Sequence, residues 1–485
     1  MASTFAPISL ALTTALLLAC GNGNGAATDG TTAESTTTDA GTASTTTGTT
    51  DVEPTTGAPA GRPNWHEDVA PVVAEHCQGC HIAGGIAPFT METYEDTRDW
   101  AAVMAFDVAE GLMPPWHAVE TDACQPPHGF KHDARLSDEL KAMFQAWSDN
   151  GAPEGDPSLA APLPTPPSLD LPDPSATAIM ASGVTVEKLD NTLDFFNCLS
   201  IDPGNETDVF VTGLQLIPGN RKIVHHVLIY VDEAAESAGW ANGIKPDCGG
   251  SSGLSGKAPL VSGWVPGGLP MEVPADVGIA LPAGARLVLN VHYHATGAGP
   301  EQDDATGLAL RWTTEQPEWV SMFSLLGAPG DGNPLSGPFV IPADTTDHVE
   351  EFEWKVTGPG NTDFPDSVEA RLWAVAAHMH KVGVDLRVWV EDRDSGAETC
   401  LLETPRWDFD WQRVYEVDRP LGDMVRLKSG DTIRVRCVYD NTIQNPGVQE
   451  ALAEVGLDAP IDVQLGEETL DEMCIGAIGV AVRQP

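Results

Sequence analysis

The chain has little positive charge. Its 485 residues include 25 Lys and Arg against 71 Asp and Glu, a formal net charge of −46. Such a surface repels phosphate backbones, which excludes nucleic acid as a partner. It also lacks a long apolar run. The one apolar stretch near the start, residues 10–19 (LALTTALLLA), is too short to span a bilayer as a helix. No other segment is long and apolar enough, and no internal repeat is evident. The first nine residues, MASTFAPIS, contain neither Lys nor Arg, so the positive region usual at the head of an export signal is missing.

That run ends in Leu17-Leu18-Ala19-Cys20, which resembles a bacterial lipoprotein signal over residues 1–20, with Cys20 as the lipidated residue. The expectation is an exported, membrane-anchored lipoprotein facing the periplasm or cell surface; a plain secretory signal is the competing reading. Nine cysteines in an acidic, turn-rich chain fit an oxidising compartment unless metals claim them. Residues 21–61 read as a disordered tether: residues 21–60 hold 14 Thr and no aromatic residue.

The length allows roughly two to four domains, and 48 Gly with 39 Pro favour turn-rich β structure. Residues 62–155 read as helical, with helices over 64–76 and 94–110 and a last one opening at Ser137, an N-cap followed by an apolar face of Leu140 and Phe144. Residues 156–180 form a Pro-rich linker. Beyond it, strands are expected over 208–217, 222–232, 285–294, 369–379, 384–391, 432–439 and 475–483, the pattern of an all-β sandwich. The region is long for one sandwich and divides better into two, 181–305 and 306–485.

Cys77-Gln78-Gly79-Cys80-His81 is the attachment pattern of a c-type haem: two thiols on one turn reach the vinyl groups, and His81 reaches the iron. A zinc half-site would need a second ligand pair, and a thioredoxin-like redox pair would need a βαβ context; neither is present. For the sixth ligand, Met113 lies in Gly111-Leu112-Met113-Pro114-Pro115-Trp116, where two prolines fix an extended loop. Its rivals are His117, Met91 and Met104. Residues 65–155 look like the small cytochrome c domains fused to exported bacterial oxidoreductases, an all-α domain, with the attachment site as the specific motif.

The β region carries seven His, six of them in three groups: His225-His226, His292 with His294, and His378 with His380. His378 and His380, two apart, point to one face of a strand and make a natural chelating pair. Adjacent His225 and His226 diverge on an ideal strand. They converge on one metal only if the backbone twists or the rings bind through unusual nitrogens. Imidazoles suit copper, zinc, iron or nickel; a thioether, for which Met473 is the candidate, narrows the choice to copper.

The segments HHVLIYV, LNVHYHATG, AHMHKVG and LDEMC occur in the order seen in the copper type II, ascorbate-dependent monooxygenases, the family of dopamine β-monooxygenase and the peptidylglycine hydroxylating monooxygenase. The resemblance covers about residues 181–482. It implies two successive jelly-roll-like β-sandwiches facing across a solvent-filled cleft, with one copper on His225, His226 and His292 and a second, O2-activating copper on His378, His380 and Met473. His294 is a neighbour in that scheme. It further implies O2-dependent hydroxylation of a C–H bond in a small organic substrate, with reduced ascorbate or another one-electron donor. The peptidylglycine branch holds its peptide carboxylate with an Arg, an Asn and a Tyr at the positions of Ala376, Ile475 and Ala477, so the resemblance does not extend to peptide amidation.

Six further cysteines remain. The family has a disulfide adjoining the Met ligand, which implies Cys437 with Cys474; Cys198 with Cys248 is a second candidate pair, and Cys124 and Cys400 stay unassigned. A haem on the same chain suggests an electron relay to copper. Two competing readings are a haem- and copper-binding electron-transfer lipoprotein without catalysis, and an adhesion module whose histidines are ordinary strand residues.

Overall fold

The computed structural model describes residues 62–484 except 84, 86, 167, 169, 190, 191, 330, 331, 359–361 and 469. Cys20 and the 21–61 tether lie outside the described residues.

The first described segment is helical. The Asn64 side chain accepts the Glu67 N–H at 3.0 Å and caps a turn, Trp65–Val69, that runs into the helix Ala70–His76. Thr93 caps Tyr94–Thr97 through the Asp96 N–H at 3.2 Å, and a tight turn leads into Ala101–Glu110. That helix stops at Gly111, whose φ of 68° is left-handed and suits glycine. Ser137 accepts the Leu140 N–H at 3.3 Å and opens Asp138–Asp149. These helices bury Val69, Val73, Phe144 and Trp147 in a core separate from that of the rest of the chain.

The remainder is mostly β-sheet, consistent with β-sandwich packing. In the first half, Val224–Asp232 lies between Arg286–His294 and Leu260–Trp264, and Asp194–Ile201 pairs on the far side of Arg286–His294. A second layer comprises Ala176–Ile179, Gly307–Thr313, Val209–Ile217 and Val277–Leu281. In the second half, Cys474–Arg483 lies between Trp319–Ala328 and Ala370–His378. The facing layer is Thr345–Lys355, Thr432–Asn441, Gly383–Glu391 and Glu398–Thr404. The layers touch closely at Gly476, where a Cβ would stand 2.9 Å from Val435 and 3.0 Å from Val388. Only glycine fits there.

The two halves are joined through their sheets. Trp319–Ala328 pairs with Cys474–Arg483 and also with Leu260–Trp264 and Val277–Leu281, and one apolar core runs through both halves. Three disulfides fix the arrangement. Cys437–Cys474 links the facing layers of the second half, and Cys198–Cys248 ties down an edge of the first. Cys124–Cys400 ties the stretch between the third and last helices to the strand Glu398–Thr404. That stretch continues along the β region: the Lys131 N–H donates to the Glu416 carbonyl at 2.8 Å, and the Asp418 N–H to the Gly129 carbonyl at 2.9 Å. Among the described residues, no helix is long and apolar enough to cross a membrane.

Candidate metal centre

His225 and His226 converge because the strand is irregular at that point. In the pairing with Arg286–His294, His226 stands opposite His292 and Val224 opposite Tyr293, which leaves His225 as the extra residue of a bulge. The bulge breaks the alternation that would send adjacent side chains to opposite faces. The three rings then meet through Nδ1. His225 Nδ1 lies 3.2 Å and His292 Nδ1 3.3 Å from His226 Nδ1, and the three offer ligand atoms within 4.8 Å of one another. Asp194 Oδ1 accepts from His292 Nε2 and from His294 Nδ1, both at 2.9 Å. With its proton committed to Asp194, His292 turns the Nδ1 lone pair toward the cluster.

Burial, followed by the neighbouring His292, pulls the pKa of both His225 and His226 well below the ordinary imidazole value. Neutral rings are what a metal requires. His294 differs: burial opposes its charge, but the bond to Asp194 together with the negative charges of Asp194 and Glu454 raises its pKa. It is a neighbour held on the same carboxylate.

The second group forms where a strand ends. Ala370–His378 closes at His378, and the rings of His378 and His380 lie 5.3 Å apart between centroids. His378 Nδ1 donates to Gln412 Oε1 at 2.6 Å, and His380 Nδ1 donates to the Asp471 carbonyl at 3.1 Å. Both bonds leave Nε2 free to bind a metal. Burial pushes His378 down to about 4, against the bond it donates to Gln412, and pushes His380 down to about 3, reinforced by His378. Met473 is buried on a fixed loop: its carbonyl accepts the Tyr439 hydroxyl at 2.8 Å.

One carboxylate ties this loop to the histidine pair. Glu472 is fully buried and accepts backbone N–H groups from His380, from Val382 at 3.1 Å and from Met473 at 2.8 Å. Burial raises its pKa to about 8 despite those bonds.

The two histidine groups touch. His226 and His378 have ring centroids 5.8 Å apart. Phe409 stacks on His225 at 4.9 Å and meets His380 at 5.7 Å. The solvent-filled cleft implied by the family resemblance is therefore not what separates them here. A cavity of about 190 Å³ opens beside both groups, lined by His225, His292 and His380 with Lys381, Phe409 and several carboxylates.

The attachment motif follows the helix Ala70–His76. Cys77 and Cys80 are thiols, whereas Cys124, Cys198, Cys248, Cys400, Cys437 and Cys474 are all in disulfides. Burial, with Cys80 beside it, raises the Cys77 thiol to about 12. His81 Nδ1 donates to the Phe89 carbonyl at 3.0 Å, which leaves Nε2 available. Among the sixth-ligand candidates, Met91 and Met104 are buried in the helical core, and His117 Nδ1 is held by the Arg406 carbonyl at 2.6 Å. Met113 is half-buried on the loop after Ala101–Glu110.

Four participants escape the sequence reading. Asp194 sits on the strand Asp194–Ile201, which that reading does not contain, and DFFNCLSI shows no period-two alternation to signal it. Phe409 and Gln412 belong to a short turn segment whose sequence announces nothing. Glu472 lies within the LDEMC segment but gains its role only when the chain end meets His380.

No family model matches the chain. The mouse (Mus musculus) protein named DBH-like monooxygenase protein 2 is 24% identical over 271 residues, covering 54% of this chain and 38% of that protein. The chain thus spans well under half the length of that relative. The similarity is distant, and it connects the chain to a monooxygenase.

Proposed function

We propose that the chain is an exported copper monooxygenase that hydroxylates a C–H bond of a small organic substrate, with a covalent c-type haem relaying electrons. The balance is R–H + O2 + two electrons + two protons giving R–OH + H2O, the electrons coming from ascorbate or another one-electron donor. The observation that carries the reading is the convergence of the His225, His226 and His292 Nδ1 atoms beside His378 and His380. The monooxygenase relative supports it. The lipid anchor at Cys20 belongs to the same proposal.

The donor sets fit the metals. Three neutral imidazoles suit copper, and two imidazoles with the Met473 thioether suit Cu(I) in particular. Bound there, copper would supply electron transfer and O2 activation. The protein's own part is orientation. Asp194 and Gln412 fix ring tautomers, Glu472 holds the Met473 loop against His380, and Phe409 packs on His225 and His380. The unpaired thiols of Cys77 and Cys80 and the free Nε2 of His81 suit haem c, which Cys77, Cys80 and His81, with Met113, would hold and which would supply one-electron storage.

The test is copper loading followed by carbon monoxide, an O2 surrogate for Cu(I). The reading expects two copper ions and one CO per chain, and Met473→Ala should lose CO binding while keeping the copper on His225, His226 and His292. Oxygen-18 from O2 in a hydroxylated product separates catalysis from bare electron transfer. Absence of bound copper in the wild type overturns the proposal.

A further inference from the structure

One short segment, Arg406 to Gln412, reaches from the helical part of the chain to both histidine groups. Arg406 stands at one end and caps the helix Ala101–Glu110. Its guanidinium donates to the Glu110 carbonyl at 2.7 Å and to the Gly111 carbonyl at 3.3 Å. The last carbonyls of a helix have no partner within it, and a cation there also meets the negative end of the helix dipole. The approach is close, since a Cβ on Gly111 would stand 3.1 Å from Arg406 Nη2. The Arg406 carbonyl in turn accepts the His117 Nδ1 proton at 2.6 Å. The loop that carries Met113 is thus held at both of its ends by this one residue.

Trp407 follows directly. Its backbone N–H donates to the Val384 carbonyl and its indole N–H to the His380 carbonyl, both at 3.0 Å. Further along, Phe409 stacks on His225 and meets the His380 ring, and Gln412 holds His378. The docking is pinned from the other side as well. The Cys124–Cys400 disulfide and a bond from the Val119 N–H to the Glu403 carbonyl at 3.2 Å hold the chain beyond His117 against Glu398–Thr404, the strand that ends just before Arg406.

These bonds form one line. From His117 it crosses a hydrogen bond to the Arg406 carbonyl, follows the peptide link into Trp407 and its indole, and crosses a second hydrogen bond to His380. Electron tunnelling falls off less steeply through covalent and hydrogen bonds than across a gap, and an indole adds a conjugated bridge.

We infer that Trp407 is the conducting contact through which electrons from the helical segment reach His380, and so the His378–His380 pair rather than the three-histidine cluster. The inference rests on the haem and copper readings. In each passage one electron leaves the haem, Fe(II) becoming Fe(III), and reduces Cu(II) held by His378, His380 and Met473 to Cu(I). No bond is made or broken and no proton is transferred. Two passages supply the two electrons of a turnover, and ascorbate or another one-electron donor reduces the haem again.

The experiment uses the full-length holoprotein, anaerobic and without substrate. Pyridine haemochrome and copper analysis count the centres; EPR and spectroelectrochemistry record the copper signals and the midpoint potentials. A laser-flash reductant then places one electron on the haem, and the fading ferrous absorbance follows its passage to Cu(II). The wild type should show a fast phase that depends on copper. Trp407→Phe keeps a ring but removes the indole N–H. It should lose the fast phase while haem content, potentials and copper signals stay at wild-type values. If Trp407→Phe gives no soluble protein, His117→Phe, which removes the first hydrogen bond, should lose the same phase. A fast phase that survives in these variants overturns the inference and leaves the haem and copper readings standing. A lost phase accompanied by altered copper signals or potentials assigns Trp407 a structural role and overturns it too. A wild type without covalent haem or copper, or with haem oxidation that copper does not alter, removes the relay reading and the inference together.

Discussion

His226 and His378 lie with ring centroids 5.8 Å apart and planes at 70°, so a member of the three-histidine cluster packs directly on a member of the HxH pair. The two groups come from different halves of the β region, on Val224–Asp232 and at the end of Ala370–His378. Phe409 fills the angle between them, and Gln412, three residues on, fixes the His378 ring. One short turn therefore serves both groups.

The carboxylate of Asp194 sets the proton on His292. Asp194→Asn would offer an amide whose orientation no longer demands that proton, and the Nδ1 lone pair would lose its fixed direction. The expected effect is a copper affinity lower by about 10–100-fold at the three-histidine cluster. The HxH site should stay within error, measured by competition with a copper chelator.

Gln412→Leu removes the acceptor from His378 Nδ1 and leaves the ring free to rotate. The loss, again about 10–100-fold, should fall on the HxH site and spare the three-histidine cluster. Together the two variants assign each copper to its group by spectroscopy.

Glu472→Gln replaces an acceptor of three backbone N–H groups with an amide that must present its own NH2 to some of them. The Met473 loop should detach from His380. Copper content is expected to fall from two ions to one per chain, with folding retained in the circular dichroism spectrum.

Asp385 provides a pH test of the fold. Burial first, and then Glu403, raises its pKa to about 6 against the opposing Arg436 and Arg387, and one of its oxygens has no hydrogen-bond partner. Between about pH 4 and pH 6 the unfolded chain has released this proton while the folded chain still holds it. Its contribution to stability therefore falls as pH rises through that window and stays low above it. Asp385→Asn should be more stable than wild type by on the order of 1–2 kcal/mol at pH 7.5 and no more stable at pH 4, by denaturant unfolding.

Local patterns were legible in the sequence because their causes are local. Asn64, Thr93 and Ser137 cap helices, and period-two alternation marks strands such as Val209–Ile217. The histidine groups were visible as residue types. How His225 and His226 converge was not, because a one-residue bulge depends on the register against Arg286–His294. Gln412, Glu472 and Asp194 act across 34, 92 and 98 residues, and no local pattern encodes such contacts. The Cys124–Cys400 bond, closing 276 residues, is the extreme case.

The account turns on copper at two adjoining histidine groups, and the most direct measurement is anomalous diffraction at the copper edge from crystals of the copper-loaded protein. Two peaks are predicted, one bounded by the Nδ1 atoms of His225, His226 and His292, the other by His378, His380 and Met473. A single peak, or peaks away from these side chains, would contradict it.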